Sequence, residues 1–108
     1  MNILKKALLK LIEIARILGL NANNLENAKD YLVHNELGLC FDTIITQMYE
    51  YNIEIDSEFY DLICKIGADM NLQKDSYSFM KELIRSESNI PKQVKDELAK
   101  ILANFLVG

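Results

Sequence analysis

Three groups of residues have side chains able to do chemistry. The first is a pair of thiols, Cys40 and Cys64. A nucleophilic thiol needs a base within reach and a third group to orient that base. The chain supplies one histidine, His34, and no obvious orienting partner. The two cysteines stand too far apart for a zinc knuckle, and no Cys-x-x-Cys occurs. Both are expected as reduced, packed thiols, since free cysteine is among the most buried residue types. The second group is His34 with Glu36, but residues two apart on a helix do not face each other. His34 is therefore expected at a helix end, near free carbonyls. The third group is Glu54, Asp56, Glu58 and Asp61. A calcium loop needs close oxygen ligands around a central glycine, and no glycine falls among them. Acids at a helix start are favoured by the helix dipole without any metal. No glycine-rich phosphate loop exists. The residues thus point to no catalytic group, metal or cofactor; an enzyme built on Cys40 or Cys64 remains as an alternative that thiol labelling would test.

The elements that must carry these residues read as helices. Half of the residues are hydrophobic, 26% are charged, and there are four glycines and one proline. That balance and the length of 108 residues fit one all-α domain, a bundle of about five to six helices spanning residues 1–108. Leu4, Leu8, Leu11, Ala15 and Leu18 recur at three and four residues and predict a helix from about Asn2 to Leu18, stopped by Gly19. Asn24 is the expected N-cap of a second helix, Leu25 to His34. A third is expected over Glu36 to Tyr51. A short connector, Asn52 to Ile55, carries two anchoring isoleucines. Asp56 is the expected cap of a fourth helix, Ser57 to Met70. A fifth is predicted over Lys74 to Arg85, followed by a loop at Ser86 to Ile90. Pro91 would open a sixth helix that buries Val94, Leu98, Ile101, Leu102 and Phe105.

Charge is unevenly spread. Residues 1–20 hold four bases and one acid, a net of +3. Residues 21–70 hold ten acids and two bases, a net of −8. Residues 71–108 hold six bases and five acids, a net of +1. The acidic middle repels nucleic acid and anionic membranes and attracts a basic partner. The apolar first twenty residues are interrupted by Lys5, Lys6, Lys10, Glu13 and Arg16, each costing roughly 2.5–3.5 kcal/mol at a bilayer centre. A membrane span is not expected, a signal peptide fits poorly, and the protein is read as cytoplasmic.

Helical spacing places Leu37, Cys40, Phe41, Ile44 and Met48 on the inner face of the third helix. Glu36, Thr43, Gln47 and Glu50 fall on an outer stripe, with Leu39 beside it. On the fourth helix Phe59, Leu62, Ile63, Ile66 and Met70 face inward, and Glu58, Asp61, Lys65 and Asp69 outward. Tyr60, Cys64 and Gly67 lie on a flank, where Gly67 would allow a close approach. Tyrosines interleaved with acids suit a protein interface, because tyrosine combines contact area with a polar tip.

Residues 29–70 contain H-N-E-x-G-L from His34 to Leu39, Q-M-Y-E from Gln47 to Glu50, the pair Ile53 and Ile55, and a helix ending G-x-x-M at Gly67 to Met70. In their order and spacing these features resemble the MafI family of bacterial immunity proteins. Asn35, where glycine or another small turn residue is expected, and Cys40, where alanine is, depart from the pattern. The resemblance implies an immunity protein that neutralises a cognate antibacterial toxin domain, often a nuclease, used in contact-dependent growth inhibition. The expected partner is the toxin's basic C-terminal domain, bound by a monomer or weak dimer. The expected contacts are Glu36, Leu39, Gln47, Glu50, Tyr51, Glu54, Asp56, Glu58 and Asp61. The alternative is an intracellular helical adaptor that binds some other basic protein.

Overall fold

Leu8, Leu11, Ile12 and Ala15 give the first helix a continuous buried stripe, and the N-terminal half of the chain is assembled on it. The computed structural model describes residues 2–85 and 92–107. The fold is all-α, and among the described residues no strand occurs beyond one isolated bridge. Cα positions divide the chain into two compact units, Met1–Ile53 and Glu54–Gly108.

The first unit contains α1 (Ile3–Leu18), α2 (Ala22–Val33) and α3 (Leu37–Glu50), each packed on the other two. Asn2 caps α1, its side-chain oxygen accepting from the Lys5 N–H at 2.8 Å. Asn21, not Asn24, caps α2, accepting from the Asn24 N–H at 2.9 Å. The helix therefore starts three residues before the expected Leu25. The reason lies in how α1 ends. Leu20 folds back to donate to the Ala15 carbonyl at 2.9 Å. That leaves Asn21 as the next residue free to adopt the extended conformation of a cap.

One device ends all four of the first helices. A residue with positive φ turns the chain, and the next N–H donates to a carbonyl five residues back. The turning residues are Gly19, Asn35, Asn52 and Asn71, at φ 114°, 61°, 52° and 57°. The closing bonds run from Leu20 to Ala15, Glu36 to Tyr31, Ile53 to Met48 and Leu72 to Gly67, at 2.8–3.0 Å. Asparagine is the residue best able to replace glycine in this conformation. Asn35 therefore makes a turn that glycine could also make.

The second unit contains α4 (Ser57–Asp69) and α5 (Lys92–Val107). α4 packs on α5 and on two short 3-10 segments, Lys74–Ser76 and Ser78–Leu83. The continuous helix expected from Lys74 to Arg85 does not form. Two tertiary contacts override it. The Tyr77 ring fills the space that a Cβ on Gly67 would occupy, and Tyr77 breaks the helical path at φ −140°. Farther along, Ile84 turns extended and forms a parallel bridge with Ile55. The Ile55 N–H donates to the Leu83 carbonyl at 3.1 Å, and the Arg85 N–H to the Ile55 carbonyl at 3.2 Å. The Asn52–Ile55 connector is thus anchored as expected, with Ile53 and Ile55 both buried.

Buried side chains in the first unit include Leu25, Ala28, Leu32, Cys40, Phe41, Ile44, Ile45 and Met48. In the second they include Phe59, Leu62, Ile63, Ile66, Tyr77, Met80 and Leu83, with Leu98 and Ile101 of α5. The expected loop at 86–90, Pro91, and the side chains of Val94, Leu102 and Phe105 lie outside the described residues. No described helix is long and apolar enough to cross a membrane.

Candidate partner-binding surface

α3 is oriented by five buried residues, Cys40, Phe41, Ile44, Ile45 and Met48. The burial of Ile45 rotates the inner face beyond the expected one. The outward line is correspondingly Leu39, Asp42, Thr46, Tyr49 and Glu50, all exposed, while Thr43 and Gln47 are half-buried on a flank. Gln47 lies on the α2 side, where its side-chain carbonyl accepts from Asn24 Nδ2 at 3.2 Å. It joins two helices and does not stand free on the acidic face. Leu37, expected on the inner face, is also only half-buried.

Glu36 is exposed just before α3, and Tyr51 is exposed just after it. The apolar residues on this face are well exposed, Leu39 at 48% and Tyr51 at 58%. Thr46 Oγ1 donates to Asp42 Oδ1 at 3.4 Å, a weak local bond that leaves the carboxylate facing solvent.

Four of the expected contacts belong to the second unit, and they divide in two. Glu58 and Asp61 are exposed on the outer face of α4, in line with Asp69, whose carboxylate lies 3.4 Å from Lys65 Nζ. Asp56 is only 8% exposed, and its Oδ1 accepts from the Phe59 N–H at 2.8 Å. This carboxylate is occupied in starting α4, which removes it from the contact surface. Glu54 is half-buried, and its Oε1 is a buried oxygen with no hydrogen-bond partner among the described residues. The Asp56 carboxylate is therefore not free for a partner, and Glu54 is only partly exposed.

The remaining reactive residues have structural settings. His34 stands at the end of α2, and its Nδ1–H donates to the Asp30 carbonyl at 2.8 Å, the helix-end position expected from the sequence. Cys40 is fully buried, and that burial pushes its thiol up from 9.0 to about 11. A thiol so shifted stays protonated at neutral pH, the reverse of what a nucleophile needs. Cys64 is half-buried on the flank of α4, beside Tyr60. Desolvation first, then the hydrogen bond with Cys64, raise the Tyr60 phenol from 10.0 to about 12. No cluster of three or more metal-ligating side chains occurs among the described residues.

The expected contacts also omit Asp42, Thr46 and Tyr49 of this face, and one exposed residue of α2. Val33, on the last turn of α2, is 79% exposed. Helical periodicity marks it only as off the inner face, and an isolated valine carries no signal of its own. Comparison with models of known protein families, with curated proteins and with solved structures returned no match.

Proposed function

We propose that the chain is an immunity protein that binds and neutralises a cognate antibacterial toxin domain, a basic one and a nuclease by the family resemblance. The observation that carries this reading is the outward face of α3. Leu39 and Tyr51 stand exposed at its two ends, with carboxylates from Glu36, Asp42 and Glu50 among them. Exposed apolar anchors set among charges have the arrangement of a binding epitope, in which a few buried side chains supply affinity and the surrounding charges steer and select. A nuclease must hold a polyanion, so its substrate groove is basic. An acidic helix laid against it would compete with phosphate for the same lysines and arginines.

Co-expression with the C-terminal domain encoded immediately upstream tests the proposal. The expected outcome is rescue of growth from that domain's toxicity and co-purification of the two chains in equal amounts. A domain that stays toxic and does not co-purify would overturn it. Within the complex, Glu36→Lys with Glu50→Lys is expected to weaken binding in calorimetry while leaving the helical circular dichroism unchanged.

A further inference from the structure

Val33 is hard to explain by the needs of the fold. It contributes nothing to the core at 79% exposure. A β-branched residue is also a mediocre helix former. The last turn of a helix favours a cation that interacts with the free carbonyls, yet α2 has no basic residue there. Single exposed apolar residues are ordinary on protein surfaces. Val33 differs because Leu39, 48% exposed, follows six residues later across a tightly built corner.

That corner is rigidly specified. Asn35 turns the chain at φ 61°. The Glu36 N–H donates to the Tyr31 carbonyl at 2.8 Å, and the Asn35 N–H to the Leu32 carbonyl at 3.1 Å. The His34 ring ties back to Asp30 at 2.8 Å. Fixed backbone on both sides means that Val33 and Leu39 lose little freedom when covered, which is how preorganised contacts gain affinity. Residues 26–42, the stretch of chain that holds both, carry Glu26, Asp30, Glu36 and Asp42 against Lys29 alone. Two exposed apolar side chains on an acidic stretch match a partner with apolar sockets edged by lysine or arginine. That acidity disfavours a second copy of this chain, whose equivalent corner would bring like charges together.

We infer that the α2–α3 corner, with Val33 and Leu39 as its apolar anchors, is the centre of the contact with a basic protein partner. The inference rests on the toxin-binding reading and adds to it which face holds the affinity. The acids steer, and the corner holds.

The test uses the full chain and the C-terminal domain encoded immediately upstream as the probe, with Val33→Asp, Leu39→Asp and the pair measured by calorimetry. Both side chains are exposed, so the variants are expected to stay folded, with melting lowered only slightly by the negative charge that Val33→Asp puts on the last turn of α2. The pair should weaken binding at least 30-fold, about 2 kcal/mol at 1.4 kcal/mol per decade. Val33→Leu, which keeps an apolar anchor, should bind within a few-fold of wild type. Wild-type binding that survives in the double variant would overturn the corner and leave the toxin-binding reading intact. No binding by the wild type would overturn both. Sedimentation of the free protein adds one more outcome. Self-association of the wild type that Val33→Asp abolishes would mean that the corner seats a second copy, and would overturn the assignment to a basic partner.

Discussion

Asp56 and Glu58 stand two residues apart and differ completely in what they are free to do. Glu58 is exposed, whereas the Asp56 carboxylate is bound to the Phe59 N–H inside the start of α4. Replacing a capping aspartate by alanine costs about 0.5–2 kcal/mol. Asp56→Ala should therefore lower the unfolding free energy, measured by urea denaturation, by an amount in the upper part of that range, since the site is buried, while Glu58→Ala, which removes only an exposed first-turn charge, should cost less. Cys40 makes a second prediction at this scale. Its thiol has an ordinary value of 9.0 and a folded value of about 11. A raised folded value means that the unfolded chain gives up the proton first. The stability tied to the protonated thiol is fully present below pH 9 and is lost as pH rises toward about 11. The melting temperature, followed by circular dichroism between pH 8 and pH 11, should fall less steeply in Cys40→Ala than in the wild type. An equal slope would refute the assignment. Tyr60, with a folded value of about 12, adds an alkaline loss of its own above pH 10 in both proteins.

At the scale of the elements, two features govern where helices stop and what they approach. The asparagine turns are the first. Asn71 occupies a left-handed conformation at φ 57°, which costs an ordinary L-residue roughly 1–2 kcal/mol. Asn71→Ala should destabilise the protein by about 1 kcal/mol, and Asn71→Gly should be neutral or slightly stabilising. Denaturant unfolding of the two variants checks the pair, and an alanine variant as stable as the glycine one would refute the reading. The second feature is Gly67. A glycine inside a helix is about 1 kcal/mol worse than alanine, so alanine would ordinarily stabilise α4. Here the added methyl would enter the Tyr77 ring. Tyr77 is itself buried and has little room to yield, and overpacking typically costs about 1–3 kcal/mol. The net effect of Gly67→Ala should be destabilising. Coupling to Tyr77→Leu in a double-mutant cycle would identify the ring as the cause.

At the scale of the whole molecule, the relevant property is the distribution of charge along the chain. The net charge of −4 conceals a middle segment, residues 21–70, with a net of −8. Exposed carboxylates separated from their partners by solvent are screened within about 8 Å at physiological salt. Association with the proposed basic partner should therefore slow several-fold between low and physiological ionic strength, while dissociation, which the proposed apolar anchors would set, should change little. Stopped-flow or surface-based kinetics across a salt series would show this split. Salt dependence confined to the dissociation rate would contradict it.

Much of this architecture can be read from the residues alone, and the parts that cannot share a cause. The i, i+3, i+4 repeats locate α1, α3 and α4 because each periodic face is satisfied by burial in almost any helical packing. Gly19 and Asp56 mark helix ends because their local conformations need no distant partner. His34 at a helix end and the buried Cys40 follow from equally local rules. The stretch from Lys74 to Arg85 has helical periodicity too, but it is divided by the Tyr77 ring at Gly67 and by the bridge from Ile84 to Ile55, contacts made across 10 and 29 residues of chain. The acidic candidates were sorted in the same way. Glu36, Glu50, Glu58 and Asp61 were legible as exposed charges, since none of the described residues claims them. Gln47 was drawn away by Asn24 of α2, and Asp56 was committed to its own helix. Val33 carries no pattern at all. Its exposure was decided by the packing of α2 against α1 and α3, which buried Leu25, Ala28 and Leu32 and left the valine outside. Local sequence determined which segments are helical and where the negative charge lies. Only tertiary packing decided which of those side chains remain available to a partner.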